Sequence, residues 1–113
     1  MGTANLIEIV EEAAYKGFYR GLIFINPEFS DKKIRLLFVD TIERGNLPIE
    51  SMVKKSTRDV VLLGFMAAFD GMDFSIRKIV NTFCEIMDLD LTEEQKAALH
   101  MQANRLQTWK NKF

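Results

Sequence analysis

Leu6, Ile9, Val10, Ala13, Ala14, Phe18 and Leu22 recur at spacings of three and four residues, the period of a helix with one covered face. Asn5 with Glu8 three residues on resembles a capping pair. The pattern therefore predicts a helix from near residue 5 to Asn26-Pro27, where the residue before proline is steered out of the helical region. Ala13, Gly17 and Gly21 stand four apart inside it and leave one flank nearly bare, so that another backbone can approach. A second helix is predicted after Ser30 or Asp31 as N-cap, with Ile34, Leu37, Phe38 and Ile42 on one face and Arg44-Gly45 as its end. The same region carries an α+β alternative, because LIFI at 22–25 and IRLLFV at 34–39 can pair as a hairpin across NPEFSDKK.

NLPIES follows as a turn whose Pro48 also suits the first turn of a short helix through Lys55. Ser56-Thr57 is an N-cap for the stretch VVLLGFMAAF at 60–69, which should stop at Asp70-Gly71. Asp73 is expected to cap the next helix, which carries Ile76, Ile79, Val80, Phe83, Ile86 and Met87 on one stripe. Thr92-Glu-Glu-Gln95 is a capping box, and the helix it opens runs toward Phe113 with Gln95, Leu99, Gln102, Leu106, Trp109 and Phe113 facing inward. The expected architecture is all-α: one domain over residues 1–113, a bundle of about five helices with the apolar helix at 57–70 in its centre.

VVLLGFMAAF has no polar side chain, yet a membrane-spanning helix needs about 20 apolar residues, and this run meets Asp59 and Asp70 well short of that. A helix apolar all round has to be covered all round. Either the remaining helices supply that cover, or a second copy or another protein completes it, since a contiguous apolar patch of several hundred Å² rarely stays exposed.

The chain has 113 residues, 48% hydrophobic and 27% charged, which suits a single globular domain rather than a disordered segment. Fifteen Lys and Arg against sixteen Asp and Glu leave a net charge of −1, so nucleic acid or an anionic membrane would have to be met by a local patch. The first fourteen residues hold three Glu and no Lys or Arg, the wrong pattern for a targeting segment; Met1-Gly2 lacks the Ser or Thr that a myristoylation motif wants at the place of Leu6. One cysteine cannot form an intramolecular disulfide, and the expected compartment is the cytoplasm.

Candidate chemistry is sparse. His100 is the only histidine and falls on the expected outer face of its helix; Cys84 sits at the edge of an apolar stripe with no histidine patterned to activate it. Glu85, Asp88, Asp90, Glu93 and Glu94 form an acidic cluster, but counting from Asp88 the sixth and twelfth positions of a calcium loop hold Glu93 and Leu99 instead of Gly and Glu. No phosphate loop, metal-binding pair, catalytic triad or nucleotide fingerprint is present, so neither an enzyme nor a cofactor or metal is expected.

Two surfaces remain. Tyr15, Phe18, Tyr19, Phe24 and Phe29, with Trp109 and Phe113 at the end of the chain, are candidates for contact with another protein or a second copy in a homodimer, since buried interface centres favour aromatics. Lys54, Lys55 and Arg58 before the apolar run, and Arg77, Lys78 and Asn81 on the following helix, are the residues a helix-turn-helix-like pair at 57–87 would bring to DNA. The wholly apolar first helix and the acidic balance make that the weaker alternative. The residues point to a small non-catalytic protein-binding module, an adaptor, inhibitor or regulator.

Overall fold

The computed structural model describes the backbone of residues 3–112 and the side chains of residues 5–112. The described residues form six helices: α1 (Thr3–Ile25), α2 (Asp31–Glu43), α3 (Ile49–Met52), α4 (Thr57–Ala68), α5 (Ile76–Ile86) and α6 (Glu93–Lys110). No strand occurs among the described residues, which corrects the hairpin alternative: residues 22–25 are the last turn of α1 and residues 34–39 lie inside α2. The deciding chemistry is the N-cap, where the Ser30 hydroxyl accepts a hydrogen bond from the Lys33 amide at 3.1 Å and starts a helix in which Ile34, Phe38 and Thr41 are buried.

Ser30, Ser56, Ser75 and Thr92 each accept from the backbone amide three residues on, and the Gln95 side chain returns a bond to the Thr92 amide in the expected capping box. Two starts differ from expectation. Helix α1 begins at Thr3, so Asn5 lies within it. Helix α5 is capped by Ser75 instead of Asp73, because Phe74 packs edge-on against Phe69, their centroids 5.1 Å apart, within the preceding turn.

The ends of α2 and α5 share one geometry. Gly45 at φ +81° gives its amide to the Ile42 carbonyl while Asn46 reaches Thr41; Asp88 at φ +53° bonds Glu85 while Leu89 reaches Cys84. Both close the helix by pairing its last free carbonyls around one left-handed residue.

Residues Val60 to Phe69 are buried without exception, none more than 8% exposed, so this chain covers its own apolar run. Most of the cover comes from α1. Ala14 lies against Gly64, Gly21 against Ala68 and Phe24 against Phe69, so the two helices run in the same direction with their backbones in contact. A Cβ placed on Gly17 would collide with the Val61 carbonyl, and one on Gly64 with the Ala14 carbonyl. Helix α5 covers another side through Phe83, edge-on to Phe65 at 5.2 Å. Helix α2 lies on α1, with Phe38 against Tyr15 and Phe18 at 5.1 and 5.5 Å.

Helix α6 requires a correction. Its buried stripe is Leu99, Ala103, Leu106 and Lys110, whereas Gln95 is exposed and Gln102 and Trp109 are half-buried; Phe113 lies outside the described residues. Among the described residues no buried side-chain nitrogen lacks a partner and Lys110 makes no described bond, so its stem is buried while its amino group reaches water.

Candidate functional site

The aromatic residues of 15–29 are used largely within the chain. Phe18 belongs to the core; Tyr15 is half-buried between Phe38 and the Arg35 guanidinium, which stacks 3.6 Å from its ring centre. The Tyr19 hydroxyl donates to the Asp31 carboxylate at 2.9 Å, and that bond to a negative acceptor raises its pKa above the ordinary value. Phe29 packs half-buried against the core. Phe24 alone of this group remains about half open, 46% exposed, with one side of its ring on Phe69 at 6.1 Å. Trp109 is half-buried under the Lys55 ammonium, 4.5 Å from its ring centre.

Several aliphatic side chains are about as open as Phe24 or more so. Leu6 and Ile9 on α1 are 49% and 55% exposed, and Leu36 and Val39 on α2 are 60% and 44% exposed. By the helical period Leu6, Ile9, Ala13 and Phe24 fall on one flank of α1, turned away from Tyr15 and Tyr19, which face α2. Leu6, Ile9 and Ala13 entered the sequence pattern as part of a core stripe, Phe24 as a candidate for partner contact. Only the direction from which α4 approaches shows that Leu6 and Ile9 lie outside it and that Ala13 sits at its edge.

The two basic sets are not brought together. Arg58 lines a groove with Ser56, Asp59, Leu91, Gln95, Leu99, Gln102 and Arg105, on one flank of α6. Arg77 and Asn81 line a groove with Ile76, Glu93, Lys96, Ala97, His100 and Asn104, on the other flank. Lys54 is exposed, Lys55 is engaged with Trp109, and Lys78 lies 4.8 Å over the Phe74 ring. In place of base-reading contacts, Gln102 donates to the Asp59 carboxylate at 3.0 Å and ties α6 to the first turn of α4.

His100 does not face open solvent as expected. Since the inner stripe of α6 is centred on Leu99 and Ala103, the flank carrying His100 turns toward α5. There it is half-buried with Nε2 3.2 Å from the Asn81 Oδ1 it donates to, and desolvation, followed by the nearby Arg77 and Lys96 charges, lowers its pKa. Cys84 is buried and unpaired, and burial pushes its thiol pKa up, which disfavours the thiolate. The acidic residues at 85–94 are exposed; Glu93 and Glu94 occupy the first turn of α6, where the helix dipole favours anions. Among the described residues no three of His, Cys, Asp and Glu come close enough to hold a metal ion, and no helix is long and apolar enough to cross a membrane.

No family model matches the chain, and neither a curated protein nor a solved structure matches it.

Proposed function

We propose that this chain is a small non-catalytic protein-binding module of regulatory type, working in the cytoplasm and self-associating through the open flank of α1. The observation that carries the reading is the exposure of Leu6, Ile9 and Phe24, each about half open on one flank of a helix whose other faces are taken up by α4 and α2. Water contact at large aliphatic and aromatic side chains is what an interface relieves, at roughly 25 cal/mol per Å² of apolar surface covered. A reducing compartment suits a chain whose one cysteine is buried and unpaired. A DNA-binding reading would need Lys54, Lys55, Arg58, Arg77, Lys78 and Asn81 on one surface, and the groove residues Arg58 and Arg77 stand on different flanks of α6.

Sedimentation at micromolar concentration tests this directly. The expected species is about twice the chain mass of 13.0 kDa, and Ile9→Glu should weaken the association by about 30-fold or more while leaving helix content unchanged, as loss of a central interface anchor does. A monomer at all concentrations up to about a hundred micromolar, a regime where specific homodimers persist, would remove the self-association reading.

A further inference from the structure

The groove between α5 and α6 concentrates positive charge in a chain that is net acidic. Arg77 enters from α5, and Lys96 and His100 from α6; Glu93 is the one carboxylate that lines the groove. Neither Arg77 nor Lys96 makes an ion pair with a described residue, whereas Arg44 does so with Asp40 at 2.9 Å. Their charges are felt inside the groove, because both act on His100 and oppose its protonation. Asn81 is oriented by accepting from His100 Nε2 through its Oδ1, which leaves its amide N–H groups as donors without a described partner. The Asn104 amide, by contrast, is used on the His100 carbonyl at 3.1 Å.

Two unpaired cations, one fixed amide donor and an imidazole that gains a proton readily once an anion is near define a complement for an oxyanion. Three separate donor groups match the several oxygens of a phosphate group better than the two of a carboxylate, and Arg can bind two of them with its planar fork. A long polyanion is disfavoured, since Arg58 and Arg105, which would extend the track, line the groove on the other flank of α6. We propose that the α5–α6 groove binds a compact anion of the phosphate class, held by Arg77, Lys96 and the Asn81 amide, with His100 at its edge. This site goes beyond the protein-binding reading and stands whether or not the chain self-associates.

His100 is the only histidine, so its ring resonances report on the groove without ambiguity. The probe is inorganic phosphate at constant ionic strength, with sodium chloride as the matched control. The charged groups facing His100 are Arg77 from α5 and Lys96 and Glu93 from α6. Desolvation and the Arg77 and Lys96 charges hold its pKa below the ordinary value; saturating phosphate should raise it by about one unit relative to chloride, and by reciprocity phosphate should bind about tenfold more tightly to the protonated form. Arg77→Gln with Lys96→Gln should raise the pKa in chloride and abolish the response to phosphate. Lys78→Gln, a like loss of charge on α5 outside this groove, should leave the response intact. An equal shift with phosphate and chloride, which is screening alone, overturns the proposal, as does the absence of any phosphate response. The unmodified protein decides the matter even if the double variant fails to fold.

Discussion

Gly64→Ala should destabilise the protein by about 2 kcal/mol or more, opposite in sign to what helix propensity predicts. In an exposed helix the change would gain about 1 kcal/mol, because Ala loses less backbone freedom and leaves less backbone open to water. Here the added Cβ meets the Ala14 carbonyl carbon at 2.8 Å and Cα at 3.1 Å, after colliding with the carbonyl oxygen. These atoms are backbone of α1 and cannot rotate aside, so the two helices have to separate. Overpacking of this kind costs about 1–3 kcal/mol and sometimes more, and separation would loosen the whole face on which Val10, Ala14, Phe18 and Leu22 meet α4. Gly17→Ala raises the same clash at the Val61 carbonyl. Once one variant has opened the helix pair, the second should cost less than it does alone, so the double variant falls short of the sum. Urea unfolding of the two single variants and the double reads both expectations. A stabilising Gly64→Ala would mean that the contact between α1 and α4 is looser than the backbone approach requires.

That helix pair also marks how far the chain is legible before its structure is known. The all-round apolarity of 60–69 predicts a covered central helix, and the spacing of Ala13, Gly17 and Gly21 predicts a close backbone neighbour; each feature was readable alone because each is local. Their mutual identity as partners was not, since nothing in either stretch names the other. Hydroxyl caps at Ser30, Ser56 and Thr92 were readable for the same reason: a cap is a bond between residues three apart.

Helix α6 shows where the reading fails. Placing Trp109, Gln102 and Gln95 inside shifts the inner stripe by about 50° at 100° per residue, away from the buried positions Leu99, Ala103, Leu106 and Lys110. Trp109 carries the largest apolar surface of the helix but lies off the stripe beneath Lys55, whereas Ala103 and the stem of Lys110 contribute little to an apolar pattern and are nevertheless covered. The shift moves His100 from solvent to the groove with α5. The cationic groove was therefore invisible in the sequence: its residues come from two helices, and the register of one depends on packing. The open flank of α1 was hidden differently. Leu6 and Ile9 match a core period as well as Val10 and Ala14 do, and only the approach of α4 separates the two sets.

Phe65→Ala should remove about 3–5 kcal/mol, a large share of the roughly 5–15 kcal/mol that holds a domain of this size folded. Phe65 is fully buried, with its ring 5.1 Å from Phe69 and 5.2 Å from Phe83, and its backbone nitrogen and carbonyl oxygen lie where α1 crosses at Gly17 and Gly21. The backbone contact with α1 leaves α4 little freedom to sink into the vacated space, so the cavity persists and the loss lies toward the upper end of that range. Phe24→Ala deletes the same group from the same aromatic cluster, since Phe24 also touches Phe69. Its ring is 46% exposed, however, so little burial is lost and the expected change is below about 1 kcal/mol. If the open flank of α1 is an interface, this second substitution weakens self-association while scarcely moving the unfolding midpoint, and Phe65→Ala does the reverse at concentrations where the variant remains folded. Denaturation and sedimentation of the two variants, side by side, separate a residue that holds the bundle together from one that the bundle presents to a partner.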